Sequence, residues 1–136
     1  MEAVDYADTF ITVAPDSTAR TGTGPPGETV AALTYRMIAE QPYRWRSSDV
    51  IFTVWATRHP VAPAARNQAW GEFYSKPRAC LRSSDLGKKW GWGVHADRDG
   101  RVMVYAVGSA EYEHLASGSD LEGRPVRVRT AMRTRR

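Results

Sequence analysis

The stretch Trp90-Gly91-Trp92-Gly93-Val94-His95-Ala96-Asp97-Arg98-Asp99-Gly100-Arg101-Val102-Met103-Val104-Tyr105-Ala106-Val107 decides the fold. It reads as two strands joined by a tight turn, with Gly100 taking the left-handed position that such a turn requires. Strand alternation sorts the first run into two faces. Trp90, Trp92, Val94 and Ala96 form an apolar face that must be buried. Gly91, Gly93, His95 and Asp97 form the other, a floor of two glycines beside an imidazole and a carboxylate. Glycines inside a strand cost stability and often mark the close approach of a ligand or another backbone.

Outward from the hairpin, Asp8–Ala14 is β-rich and ends at Pro15, which predicts a strand. Pro15–Gly27, with three glycines and two adjacent prolines after Pro15, reads as a flexible loop or a lid. Thr29 caps a helix running through Glu40, with Val30, Leu33, Met37 and Ile38 as its apolar stripe. Pro42 ends it. Tyr43-Arg44-Trp45-Arg46 alternates aromatic and cation, as a loop whose rings pack down under Arg stems, or as a stacking platform.

Val50–Ala56 is almost continuously apolar and β-branched, as expected of a central strand buried on both faces. A second helix is expected from Pro63 to Lys76, with Ala62, Arg66, Ala69, Trp70 and Phe73 on one side. Arg78–Arg82 reads as a short extended piece, and Leu86–Lys89 as one helical turn. Ser109 caps a third helix, Ala110–Ala116, stopped at Gly118. In Val126–Arg133, Val126, Val128, Thr130 and Met132 share one face while Arg127, Arg129 and Arg133 share the other, a strand pattern that leaves residues 134–136 as a loose end.

These elements predict a single α+β domain over residues 1–136, with an antiparallel sheet of about five strands and two main helices on one face. A chain this long can bury roughly two thirds of its unfolded surface. The first residues lack a signal peptide's basic and apolar regions, and no apolar run approaches the ~20 residues of a membrane span. A cytoplasmic location and no membrane association are therefore expected. Cys80 is the single cysteine, so no disulfide forms within the chain. His59, His95 and His114 lack metal-site spacing, and no dinucleotide loop surrounds Gly91-x-Gly93; no metal and no cofactor are expected. The formal net charge is +4, but residues 124–136 hold six arginines and no acids, so the rest of the chain has a net charge of −2. The basicity belongs to one segment, not to a broad cationic face.

Asp8-Thr9-Phe10-Ile11, Pro42-Tyr43, Phe73-Tyr74-Ser75-Lys76, Cys80-Leu81-Arg82, Gly91-Trp92-Gly93-Val94-His95, Glu111-Tyr112 and Ala131-Met132-Arg133 occur in that order. Together they resemble a small bacterial family, domain of unknown function 6157, over nearly the whole chain. The resemblance implies one compact domain of intracellular bacterial origin and implies no activity.

The candidate site is therefore built from residue chemistry. If the Arg78–Arg82 strand lies beside the hairpin, Cys80, Arg82 and His95 converge over the glycine floor. His95 then serves as a proton donor or acceptor and Cys80 as a nucleophile. Arg82 grips a carboxylate or phosphate, and Trp92, Asp97 and Tyr105 complete a substrate pocket. The corresponding function is a cofactor-free small-molecule-binding or catalytic domain of bacterial specialised metabolism, taking an anionic or aromatic substrate. One alternative is nucleic-acid binding through the C-terminal Arg strand. Another is a non-catalytic interaction module, as monomer or homodimer.

Overall fold

The computed structural model describes residues 1–135. Its centre is a four-stranded mixed sheet in the order β3-β2-β1-β4. The strands are β1 (Thr9–Thr12), β2 (Trp92–Ala96), β3 (Val102–Ala106) and β4 (Arg127–Thr130). The helices are α1 (Val30–Glu40), α2 (Ser47–Arg58), α3 (Arg66–Tyr74), α4 (Asp85–Lys88) and α5 (Ala110–Ala116). The β2–β3 hairpin forms as its alternation predicts. His95 pairs with Met103 and Gly93 with Tyr105, and Gly100 takes φ 80° in the turn. Capping chemistry sets two helix starts. Thr29 Oγ1 accepts the Ala32 N–H at 3.2 Å, and Ser109 Oγ accepts the Tyr112 N–H at 3.1 Å.

The α+β class holds, and four expectations need correction. The sheet has four strands and is not wholly antiparallel, because β4 runs parallel to β1. The chain leaves β3 at one edge, crosses the sheet through α5 and returns at the other edge, so β4 arrives in the same direction as β1. Val50–Ala56 lies inside α2, not in a strand. A short continuous apolar run suits a helix buried on two sides as well as a central strand. Here Val50 and Val54 face the sheet while Phe52 and Ala56 face Phe73 of α3. The polar start settles the competition, since Asp49 Oδ2 accepts the Arg46 N–H at 2.9 Å. Arg78–Arg82 is not a strand either, for Leu81–Ser83 coils into a single tight turn leading to α4. In α1 the buried residues are Ala31, Ala32, Thr34 and Ile38, with Leu33 and Met37 half-buried and Val30 left 54% exposed.

The helices occupy both faces of the sheet. On one, α1, α2 and α4 cover Ile11, Val94, Ala96, Val102 and Val104. On the other, α5 brings Tyr112 and Leu115 against Phe10 and Val126. Segment 15–27 crosses the hairpin's start. Thr23 N–H donates to the Trp90 carbonyl at 2.9 Å, and Trp92 Nε1–H donates to the Thr23 carbonyl at 2.9 Å. At the end of the chain, the Thr134 and Arg135 N–H groups both donate to the Asp16 carboxylate, and Arg136 lies outside the described residues. No helix is long and apolar enough to cross a membrane among the described residues.

Candidate functional site

The polar face of β2 is covered by the chain itself. His95 pairs with Phe10 of β1, which fixes its imidazole on the α5 side of the sheet. There Nδ1 lies 2.8 Å from the Tyr43 hydroxyl, which is in turn 2.7 Å from the Tyr105 hydroxyl. The Tyr43 and His95 rings meet edge to face at 5.6 Å. His95 is only 6% exposed, and its Nε2 has no hydrogen-bond partner among the described residues. Burial holds the imidazole below its ordinary pKa, against the opposing pull of the Asp120, Asp97 and Asp8 carboxylates. The ring is therefore neutral at pH 7. Burial, the Tyr105 hydrogen bond and nearby carboxylates push the Tyr43 phenol far above its usual range. In the tautomer with a proton on Nε2, Tyr105 donates to Tyr43 and Tyr43 donates to Nδ1.

Tyr43 reaches His95 because the α1–α2 connector wraps around the free edge of β3. Its N–H donates to the Val102 carbonyl at 3.0 Å, and its φ of 55° is in the left-handed region. A non-glycine residue pays roughly 1–2 kcal/mol for that conformation. The same connector half-buries Trp45, whose indole N–H also has no partner among the described residues. Nothing in the residues adjacent to Tyr43 marks this role. The role follows from an edge strand that needs cover, which only the sheet order reveals.

The glycine floor holds protein, not empty space. A Cβ at Gly93 would lie 2.5 Å from Phe10 Cζ and 2.8 Å from Tyr112 Cε2. One at Gly91, where φ is 82°, would collide with the Thr21 carbonyl. The two glycines thus admit a pair of aromatic rings and the 15–27 segment. Trp92 stacks obliquely on Tyr35 at 4.8 Å under that segment, and Asp97 Oδ1 accepts the Asp99 and Arg101 N–H groups as the turn's internal anchor.

Cys80 and Arg82 lie on the opposite face. Cys80 Sγ is 3.4 Å from the Tyr6 hydroxyl, and Arg82 Nε–H donates to the Thr130 carbonyl at 2.8 Å. Burial and the neighbouring Cys80 raise the Tyr6 pKa, with Arg82 opposing. The fold thus brings His95 together with Tyr105, and Cys80 near Arg82 through Tyr6, and separates the two pairs by the sheet.

The family of unknown function DUF6157 matches the sequence over residues 1–136. The chain belongs to that family. No curated protein and no solved structure matches it.

In this DUF6157 chain an opening with mainly apolar walls lies on the face of the sheet covered by α1 and α2. A cleft of about 420 Å³ runs between α1, α2 and the 78–85 segment. Ala31, Ile51, Val54, Phe73 and Leu81 form its apolar walls. Trp55 stands at one side with His59 stacked on it at 4.9 Å and 14°. Arg58 and Arg78 supply cations, the latter fixed by its Nε–H on the Phe73 carbonyl at 2.8 Å, with its guanidinium 3.8 Å above the Phe73 ring. Cys80, Ser83, Ser84 and Asp85 also line it, with Ala79 at its lip. Ile51, Val54, Trp55, Arg58 and His59 fall at i, i+3, i+4, i+7 and i+8, one helical stripe. That spacing is present in the sequence, where the overlapping apolar run Val50–Ala56 satisfies a strand pattern as well.

Proposed function

We propose that this chain is a small-molecule-binding domain whose ligand is an apolar, largely aromatic molecule with one anionic group, held in the α1–α2 cleft. The observation that carries this reading is the cleft itself. Its volume of about 420 Å³ falls in the range typical of ligand pockets, and it combines apolar walls with a few convergent polar groups. In this reading Trp55 and Phe73 take the ring, and Arg58 and Arg78 take the anion. Trp55 is pinned by His59, and Arg78 by the Phe73 carbonyl, so binding costs little ordering there.

Acid–base chemistry, if the ligand is also a substrate, belongs to His59 and Cys80 of the cleft. His95 and Tyr105 then serve to close the fold. A cytoplasmic setting in bacterial specialised metabolism completes the proposal.

Anilinonaphthalene sulfonate, a fused aromatic carrying one anion, is a suitable first probe. Its fluorescence should rise on binding and be competed away by indole-3-carboxylate. Ala79 is exposed at the cleft lip, so Ala79→Trp should occlude the opening without burying new volume in the core. Reversing charge with Arg58→Glu should weaken the probe about tenfold, the scale of a rim charge facing an anion. Unchanged probe binding in both variants would refute the cleft as the site.

A further inference from the structure

The two edges of the sheet are treated differently. The outer edge of β3 is sealed by the α1–α2 connector: Tyr43 N–H donates to the Val102 carbonyl, and Val102 N–H donates to the Trp45 carbonyl at 2.9 Å. Among the described residues, the outer edge of β4 has no such cover. All four of its residues are exposed, including Val128 at 40%. The Arg127 N–H donates to the Asp8 carbonyl and the Ala131 N–H to the Thr12 carbonyl, so odd-numbered backbone groups face β1. The even-numbered ones face outward. Arg82 closes the far end, with its Nε–H on the Thr130 carbonyl and its own carbonyl accepting the Met132 N–H. Val128 N–H, Val128 C=O and Thr130 N–H remain as an open docking row.

Side chains add a second pattern to that row. Arg127 and Arg129 pair in register with Thr9 and Ile11 and lie towards one face, while Val128, opposite Phe10, lies towards the other. The ion pairs among the described residues are Arg36–Glu28 and Lys89–Asp85, so no carboxylate of the described residues neutralises Arg127 or Arg129.

We infer that β4 is a docking edge for an extended acidic segment of another protein, added as a fifth strand, with acidic and apolar residues alternating. Backbone pairing supplies the hydrogen bonds, and the alternation matches carboxylates to Arg127 and Arg129 and apolar side chains to Val128. A second copy of the chain does not suit this edge, because antiparallel β4–β4 pairing sets arginine against arginine. Nucleic acid matches the cations but has no strand backbone to meet Val128 and Thr130. The inference is independent of the cleft, which lies among the helices.

The test uses the full chain and short labelled peptides, read by fluorescence anisotropy. A peptide alternating glutamate and valine should bind, and one alternating lysine and valine should not. N-methylation of the glutamate–valine peptide at the amides facing the edge should abolish binding. Arg127→Glu with Arg129→Glu should lower affinity for the acidic peptide by about tenfold or more and reverse the preference between the two peptides. Val128→Pro removes an outward donor while leaving the β1 ladder intact, and should cost about fivefold, the worth of one hydrogen bond. Circular dichroism confirms that each variant is folded. Absence of acidic-peptide binding, equal binding of both peptides, or tighter binding of single-stranded DNA would overturn the inference. So would dimerisation that the double charge reversal abolishes.

Discussion

The two faces of the sheet invert what their side chains suggest. The α5 face carries the polar and glycine-rich residues of β2, yet Phe10, Tyr112 and Tyr43 fill it. The helical face is lined by aliphatic side chains, yet it holds the cleft. The difference has a packing cause. A single short helix can lie flat on a glycine-bearing strand and leave no gap, because the missing Cβ atoms let rings approach the backbone. On the other face α1 and α2 lie on the sheet and α3 packs behind α2, and where they meet the 78–85 segment a concavity remains. Buried polar groups on the first face are therefore fold-closing, and the partly open cations of the second are available to a ligand.

The sharpest way to break the comparison is to add one methyl group to the closed face. Gly93→Ala drives a Cβ into Phe10 and Tyr112 and should destabilise the chain by about 3 kcal/mol, as overpacking does, measured by urea unfolding. A neutral result would mean that the α5 face has slack and could admit a ligand. Tyr43→Phe removes the hydroxyl that joins His95 to Tyr105 and should cost about 1–2 kcal/mol in the same assay.

The buried imidazole also makes a pH prediction for that face. Its folded pKa lies below the ordinary 6.5, so between the two values the unfolded chain binds more protons. The contribution of His95 to stability is complete above pH 6.5 and declines as the pH falls through that window towards the folded pKa. His95→Gln should flatten this part of the stability–pH curve, and a profile unchanged by the substitution would show that another group titrates there.

On the open face the expected effects on stability are smallest. Ala79→Trp should shift the unfolding free energy by no more than about 0.5 kcal/mol, as for an exposed site, while blocking the fluorescent probe. Large destabilisation by this substitution would place Ala79 in the core and weaken the contrast between the faces.

Residue by residue, legibility in the sequence followed the range of the interactions. The hairpin was legible because alternation and Gly100 act over neighbouring residues. The α1 and α5 starts were legible because Thr29 and Ser109 cap donors only three positions away. The pairing of His95 with Tyr43 was not, since it spans 52 positions and depends on which strand forms the sheet edge. Neither was the cleft, since the Val50–Ala56 part of its stripe satisfies a strand pattern equally well.

The sequence alone thus determined the α+β class, the β2–β3 hairpin, the alternation of β4 and the capped ends of α1 and α5, since turn conformation and periodicity are properties of adjacent residues. Only the tertiary structure decided that Val50–Ala56 is helical, that β4 runs parallel to β1, and that Cys80 and His95 are on opposite sides of the sheet. A continuous apolar run is satisfied by burial in either conformation, and what surrounds it selects between them. Where space remains for a ligand depends on how finished elements fit together, and no local pattern encodes that.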